Sequence, residues 1–262
     1  MVLTGDAPEI VGTDADPLNE ALPLVRAAEA AGAPVRLIGG VAVRVLCPGF
    51  TPRVRRDQDF DLVCLGKQRK DVAAFLESAG CEADRRFNNL NGDRQMYFRA
   101  PSGRPIDVMV DRVPMCHTLD FRRTFTALPL TLGAADLLLT KLQIVELNEK
   151  DAHDIVHVLA GVPIGGGPGD AGAPAIDGTR LDEVLGGDWG WWKTVTDNLD
   201  QLPGLVDAHP GLVPPDATED PLAAARRLRE RAEQARKTMQ WKLRARVGSR
   251  VRWYELPEEV DH

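Results

Sequence analysis

Residues 55–63 read RRDQDFDLV, with aspartates at every second position where an apolar strand begins. Burying a carboxylate costs several kcal/mol unless something pairs with it, so a purely structural strand avoids this pattern. Alternation along a strand sends Asp59, Asp61 and Val63 to one face and Phe60, Leu62 and Cys64 to the other. The apolar set packs and the two carboxylates converge. Downstream, RPIDVMVD (104–111) repeats the logic, with Asp107, Met109 and Asp111 on one face and Ile106, Val108 and Val110 on the other. If the two strands are neighbours, Asp107 joins the pair, with Asp111 as its rival. Carboxylates crowded in this way repel one another and titrate together unless a hard divalent cation neutralises them. Mg2+, or Mn2+ in its place, suits such a site because it takes oxygen ligands and completes its shell with phosphate oxygens.

A second stretch lies one strand upstream. PVRLIGG (34–40) reads as a short strand entering a glycine turn, followed by a short helix, VAVRVLC. Gly39 and Gly40 lack a Cβ, so a phosphate chain can approach the backbone and meet the N–H groups of that helix. Around this unit the chain predicts a helix over 17–32 and another over 67–80. A hairpin follows, RQMYFRA and RPIDVMV joined at PSG, and then two helices within 133–161. These elements predict an α/β fold with a mixed sheet flanked by helices.

Together LIGG, DFDL and IDVMV resemble the pattern of the DNA polymerase beta-type nucleotidyltransferase superfamily over about residues 35–160. Within it the chain is most similar to the abortive-infection type enzymes of bacterial toxin–antitoxin pairs. The resemblance implies a nucleotidyltransferase fold (α+β) that moves a nucleoside monophosphate from an NTP, ATP among the candidates, to an acceptor hydroxyl. It implies Asp59, Asp61 and Asp107 as metal ligands and catalytic carboxylates. Gly39, Gly40, Arg55 and Lys141 become nucleotide contacts, and Asp154 a polar residue supporting Lys141. The acceptor it implies is tRNA or another RNA, and a cognate antitoxin is an implied partner. Asp57 stands where that family often has Ser or Thr, and the loop CPGFTPRVRRDQ is long enough to reach over a nucleotide.

The 262 residues are 44% hydrophobic and 27% charged, an ordinary globular composition. No signal-peptide pattern and no membrane-length apolar run is visible, which makes the cytoplasm the expected compartment. The four cysteines form no CxxC pair and are expected as buried thiols. The expected organisation is a tail (1–16), a transferase core (17–160), a Gly/Pro-rich linker (161–178) and a helical C-terminal region (179–262). The net charge of −7 disfavours bulk polyanion binding, yet residues 221–254 carry eleven basic side chains against Glu230 and Glu233. In that region Leu228, Ala232, Ala235, Met239 and Leu243 predict one continuous helix with an apolar stripe under a basic face. The basic face fits RNA, or packing against the acidic remainder of the chain. His153 and His157 are read as a structural pair, and Trp189, Trp191 and Trp192 as packing residues. Two other readings stay open: a small-molecule transferase of the antibiotic-modifying kind, and a non-catalytic nucleotide-binding module.

Overall fold

The computed structural model describes residues 16–50, 59–170 and 172–256. They fall into two compact units, Met1–Leu37 with Arg53–Val110, and Ile38–Pro52 with Asp111–His262. Arg55 and Asp57, and all but the last residue of the expected tail, lie outside the described residues. No helix among the described residues is long and apolar enough to cross a membrane.

The first unit is built on a five-stranded mixed sheet. Helix α1 (Pro17–Ala30) starts at Asp16, whose carboxylate accepts from the Leu18 N–H, and buries Ala21, Val25 and Ala28. Strand β1 ends at Ile38, the first residue of the second unit; it spans Arg36–Ile38. Helix α2 (Gly39–Leu46) follows it in sequence and belongs to the second unit. Then come β2 (Phe60–Cys64), a 3-10 turn (Gly66–Gln68), α3 (Arg69–Ser78), β3 (Glu82–Ala83), α4 (Arg85–Asn91), β4 (Gln95–Arg99) and β5 (Pro105–Val110). The strand order is β1-β2-β5-β4-β3. β2 and β5 run parallel, while β4 is antiparallel to both β5 and β3.

The hairpin expected at PSG is present, with Gly103 at φ 85° in its turn and Arg99 opposite Pro105. Two buried arginines reach α1. Arg104 pairs with Glu20 at 3.3 Å, and Arg36 pairs with Glu29 at 2.6 Å. Helix α4 has no counterpart in the sequence reading, because RRFNNLN lacks apolar periodicity. Hydrogen bonds hold it instead. Asp84 caps its N-terminus, and the Asn88 amide both donates to the Tyr97 carbonyl (3.0 Å) and accepts from the Tyr97 N–H (2.7 Å).

The second unit is mostly helical. After α2 it holds the hairpin β6 (Arg112–Pro114) and β7 (Thr118–Asp120), then α5 (Ala134–Leu142) and α6 (Glu149–Gly161). Within 161–178, read from composition as a linker, the short parallel strands β8 (Ile164–Gly165) and β9 (Ile176–Asp177) pair with each other. There the Asp170 carboxylate turns the backbone by accepting from Gly172 and Ala173. Helices α7 (Gly178–Gly187), α8 (Trp189–Ala208), α9 (Pro221–Gln234) and α10 (Met239–Val247) complete the unit. α5 is buried from Ala134 to Thr140; its Asp136 pairs with Arg180 of α7 at 2.8 Å. Trp189 and Trp191 are buried, as packing residues should be. All four cysteines are buried thiols, and burial pushes Cys47 up to about 12.

The single long C-terminal helix is corrected to two. Leu228, Ala232 and Ala235 are buried, whereas Met239 and Leu243 are 71% and 54% exposed, so the apolar stripe does not continue inward. The chain leaves α9 at Ala235 (φ −53°, ψ 135°), and the Thr238 N–H then donates to the Gly186 carbonyl at the end of α7. A Cβ on Gly186 would stand 2.4 Å from the Arg236 carbonyl oxygen, while one on Gly187 would meet nothing within 4 Å. Gly186→Ala is therefore expected to destabilise the protein by about 1–3 kcal/mol through forced backbone displacement. Gly187→Ala should be neutral or stabilise by less than about 1 kcal/mol. Urea unfolding of the two variants beside the parent checks the contrast.

Candidate metal centre

β2 and β5 are in parallel register with Phe60 opposite Ile106, Asp61 opposite Asp107 and Leu62 opposite Val108. The apolar partners Phe60, Leu62, Ile106 and Val108 are at most 1% exposed, while Asp61 and Asp107 are half-buried on the other face. Asp59 precedes β2 by one residue and reaches the same place. Each of Asp59, Asp61 and Asp107 offers a carboxylate oxygen, and the three oxygens lie within 4.8 Å of one another. No other group of this kind occurs among the described residues. Asp111, the rival to Asp107, is not in the cluster and instead turns the chain beyond β5 with φ 62°.

The donor set fits a hard cation. Two ligands on one octahedral Mg2+ stand about 2.9–4.1 Å apart, so oxygens already within 4.8 Å need little movement to share ions. β4 supplies two further groups that the sequence reading did not single out. The Gln95 Nε2 donates to Asp107 Oδ1 at 2.6 Å, and Tyr97 lies opposite Asp107 in the antiparallel register. Burial pushes the Tyr97 phenol up; Arg99 opposes this, and the charges of Asp107 and Asp59 add to it.

Of the other predicted residues, Gly39, Gly40, Lys141 and Asp154 lie in the second unit. Gly39 has φ 69°, a left-handed conformation that favours glycine, and with Gly40 it opens α2. Lys141 is held between two buried carboxylates, Asp151 at 3.1 Å and Asp154 at 2.8 Å. Asp151 is thus a companion to Asp154 on the same lysine. Burial works against the Lys141 ammonium, but Asp154 and Asp151 outweigh it and raise its pKa. For Asp154 burial likewise opposes charge, and His153 with Lys141 prevails, holding the carboxyl at about 2. The His153 and His157 rings stack at 3.8 Å, with His157 edge-on to Phe50. Neither histidine belongs to the metal cluster.

No known protein-family profile matches the chain, and no curated protein matches it. Among solved structures, the chain is similar to an antigenic nucleotidyltransferase-like protein from Paracoccidioides brasiliensis. The identity is 14% and the TM-score 0.40, over 87% of this chain and 95% of that one.

The lysine network generates a pH-dependent expectation. Lys141→Met leaves two buried carboxylates without their ammonium and should cost about 3–5 kcal/mol near neutral pH. Asp154 is held at about 2 when folded, below the ordinary aspartate value of 3.8. Its stabilising contribution is therefore present above about pH 4 and is lost as pH falls towards 2. The gap between parent and Lys141→Met should narrow over that window, measured by urea unfolding at pH 7, 4 and 3.

Proposed function

We propose that this protein is a divalent-metal-dependent nucleotidyltransferase that moves a nucleoside monophosphate from an NTP to an acceptor hydroxyl. The observation that carries the reading is the convergence of Asp59, Asp61 and Asp107 on one face of the β2–β5 pair. Mg2+ bound there would neutralise the carboxylates and the phosphate charge that builds up during transfer. Asp59 and Asp61 hold the metal side of the site. Asp107 would ligate as well, and its Oδ1 accepts a hydrogen bond from the Gln95 Nε2. In the reaction the acceptor oxygen forms a bond to the α-phosphorus, the bond to the bridging oxygen breaks, and pyrophosphate leaves. The acceptor proton passes to Asp107 or to water. Gly39, Gly40, Arg55 and Lys141, with Asp154 in support, are the nucleotide contacts assigned by sequence resemblance.

RNA is the acceptor this reading favours, through the cations of the C-terminal region. Arg227, Arg229 and Arg231 of α9 are matched to Glu219, Asp200 with Glu233, and Asp182. They serve packing within the unit. Lys242, Arg246 and Arg250 are exposed, and among the described residues no carboxylate is paired with them. They are the side chains suited to follow a phosphate backbone.

Asp61→Asn should lower turnover by more than about 100-fold while leaving the metal-free fold intact, because it removes charge from a self-repelling cluster. The measurement is pyrophosphate release and label transfer from each NTP with Mg2+, total RNA being the acceptor. Equal rates in parent and variant would sink the proposal. Label on a small molecule or on protein, with RNA untouched, would move the acceptor class and keep the transferase. If RNA is labelled, changing Lys242, Arg246 and Arg250 to Gln should weaken labelling and flatten its salt dependence.

A further inference from the structure

Resting on the metal-dependent reading, the geometry points to Gln95 as the residue that positions Asp107 for the cation. An ionised carboxylate only accepts hydrogen bonds, so the group facing Asp107 Oδ1 at 2.6 Å must be the Gln95 NH2 rather than its carbonyl oxygen. An amide donor cannot ligate a metal through its nitrogen and carries no charge. It therefore fixes one oxygen of Asp107 without cancelling the negative field that draws a cation.

The bond is built from a rigid base. Gln95 opens β4 opposite Met109, two residue pairs from the level at which Tyr97 faces Asp107. Its amide therefore reaches diagonally across the ladder to a carboxylate on the neighbouring strand. β4 is tied to α4, because Asn88 bonds the Tyr97 backbone at both its N–H and its carbonyl. Asp84 in turn fixes the start of α4 by accepting from the Phe87 N–H at 2.8 Å. Order thus passes from Asp84 through α4 to β4, and from β4 through Gln95 to Asp107. Hydrogen-bonded supporting groups of this kind set ligand orientation in metal sites, and their loss weakens metal affinity.

The test is direct binding of Mn2+, followed by electron paramagnetic resonance and calorimetry, with no nucleotide present. Gln95→Met keeps length and removes the donor; it should weaken Mn2+ binding by about 10- to 100-fold. The decisive comparison is the double variant. If Gln95 acts through Asp107, then Gln95→Met should have no further effect on Mn2+ binding in an Asp107→Asn background. A full additional loss there would mean that Gln95 merely supports the fold, and would overturn the inference. Thermal unfolding without metal separates a folding defect from a site defect, and Gln95→Leu repeats the test with a second apolar side chain. Asp61→Asn distinguishes the two levels of argument. If it abolishes Mn2+ binding while Gln95→Met binds like the parent, the positioning role falls and the metal centre stands. If the parent itself binds no Mn2+, or Asp61→Asn binds as well as the parent, both fall.

Discussion

Like-charge crowding on the parallel β2–β5 pair is the constraint around which the first unit is arranged. Three carboxylates within 4.8 Å repel one another by an amount on the order of a few kcal/mol per pair in a partly solvated setting. That arrangement persists because the opposite face of the same strands is anchored. Phe60, Leu62, Ile106 and Val108 are sealed in the core, and side chains alternate with period two. A slip of one residue between β2 and β5 would push aspartates into the core and bring leucine and valine out of it. The apolar face thus enforces a register that the acidic face alone would not adopt.

That coupling explains why the strands carrying the site could be read from the chain. DFDLVC and IDVMV set acidic residues between apolar ones with period two, and PSG joins the two strands of a hairpin with the glycine a tight turn requires, so β2, β4 and β5 announce themselves. Helix α4 and strand β3 do not. RRFNNLN has no apolar face, and its stability resides in the Asp84 cap and the Asn88 bonds to the Tyr97 backbone, which depend on a partner only the fold supplies. The pairing of β8 with β9 is hidden for a similar reason. It is made by backbone groups in a glycine-rich segment where side-chain periodicity carries no information. In the C-terminal region the opposite error arises. The apolar period runs on past Ala235, while the chain breaks there because its backbone crosses Gly186 at a distance that excludes a Cβ. Periodicity reports what a helix could bury and is silent about a steric crossing from another element.

The candidate site shows the same division. Asp59, Asp61 and Asp107 were legible because paired aspartates on an apolar strand are costly unless they serve a purpose. Lys141 and Asp154 came from the family resemblance, as a nucleotide contact and a polar residue beside it; that Asp151 pairs with the same lysine was not legible, since neighbouring acidic residues on a helix look alike until burial separates them. Gln95 gave no signal, because a glutamine at the start of a strand is unremarkable in a sequence. Its importance comes from the ladder that places Met109, and hence Asp107, within its reach.

The Lys141 network and the half-buried carboxylate cluster differ in the donors that their oxygens meet. Around Lys141, an ammonium stands between two carboxylates at 3.1 and 2.8 Å, so opposite charges are matched inside the protein and the group contributes to folding. Around Asp107, the donor on Asp107 Oδ1 is a neutral amide, which orders an oxygen and leaves its charge in place. Three carboxylate oxygens held within 4.8 Å offer ligands that a cation with phosphate oxygens in its shell could use. The cost of holding the carboxylates together is borne by the folded core, and a cation bound there would relieve it.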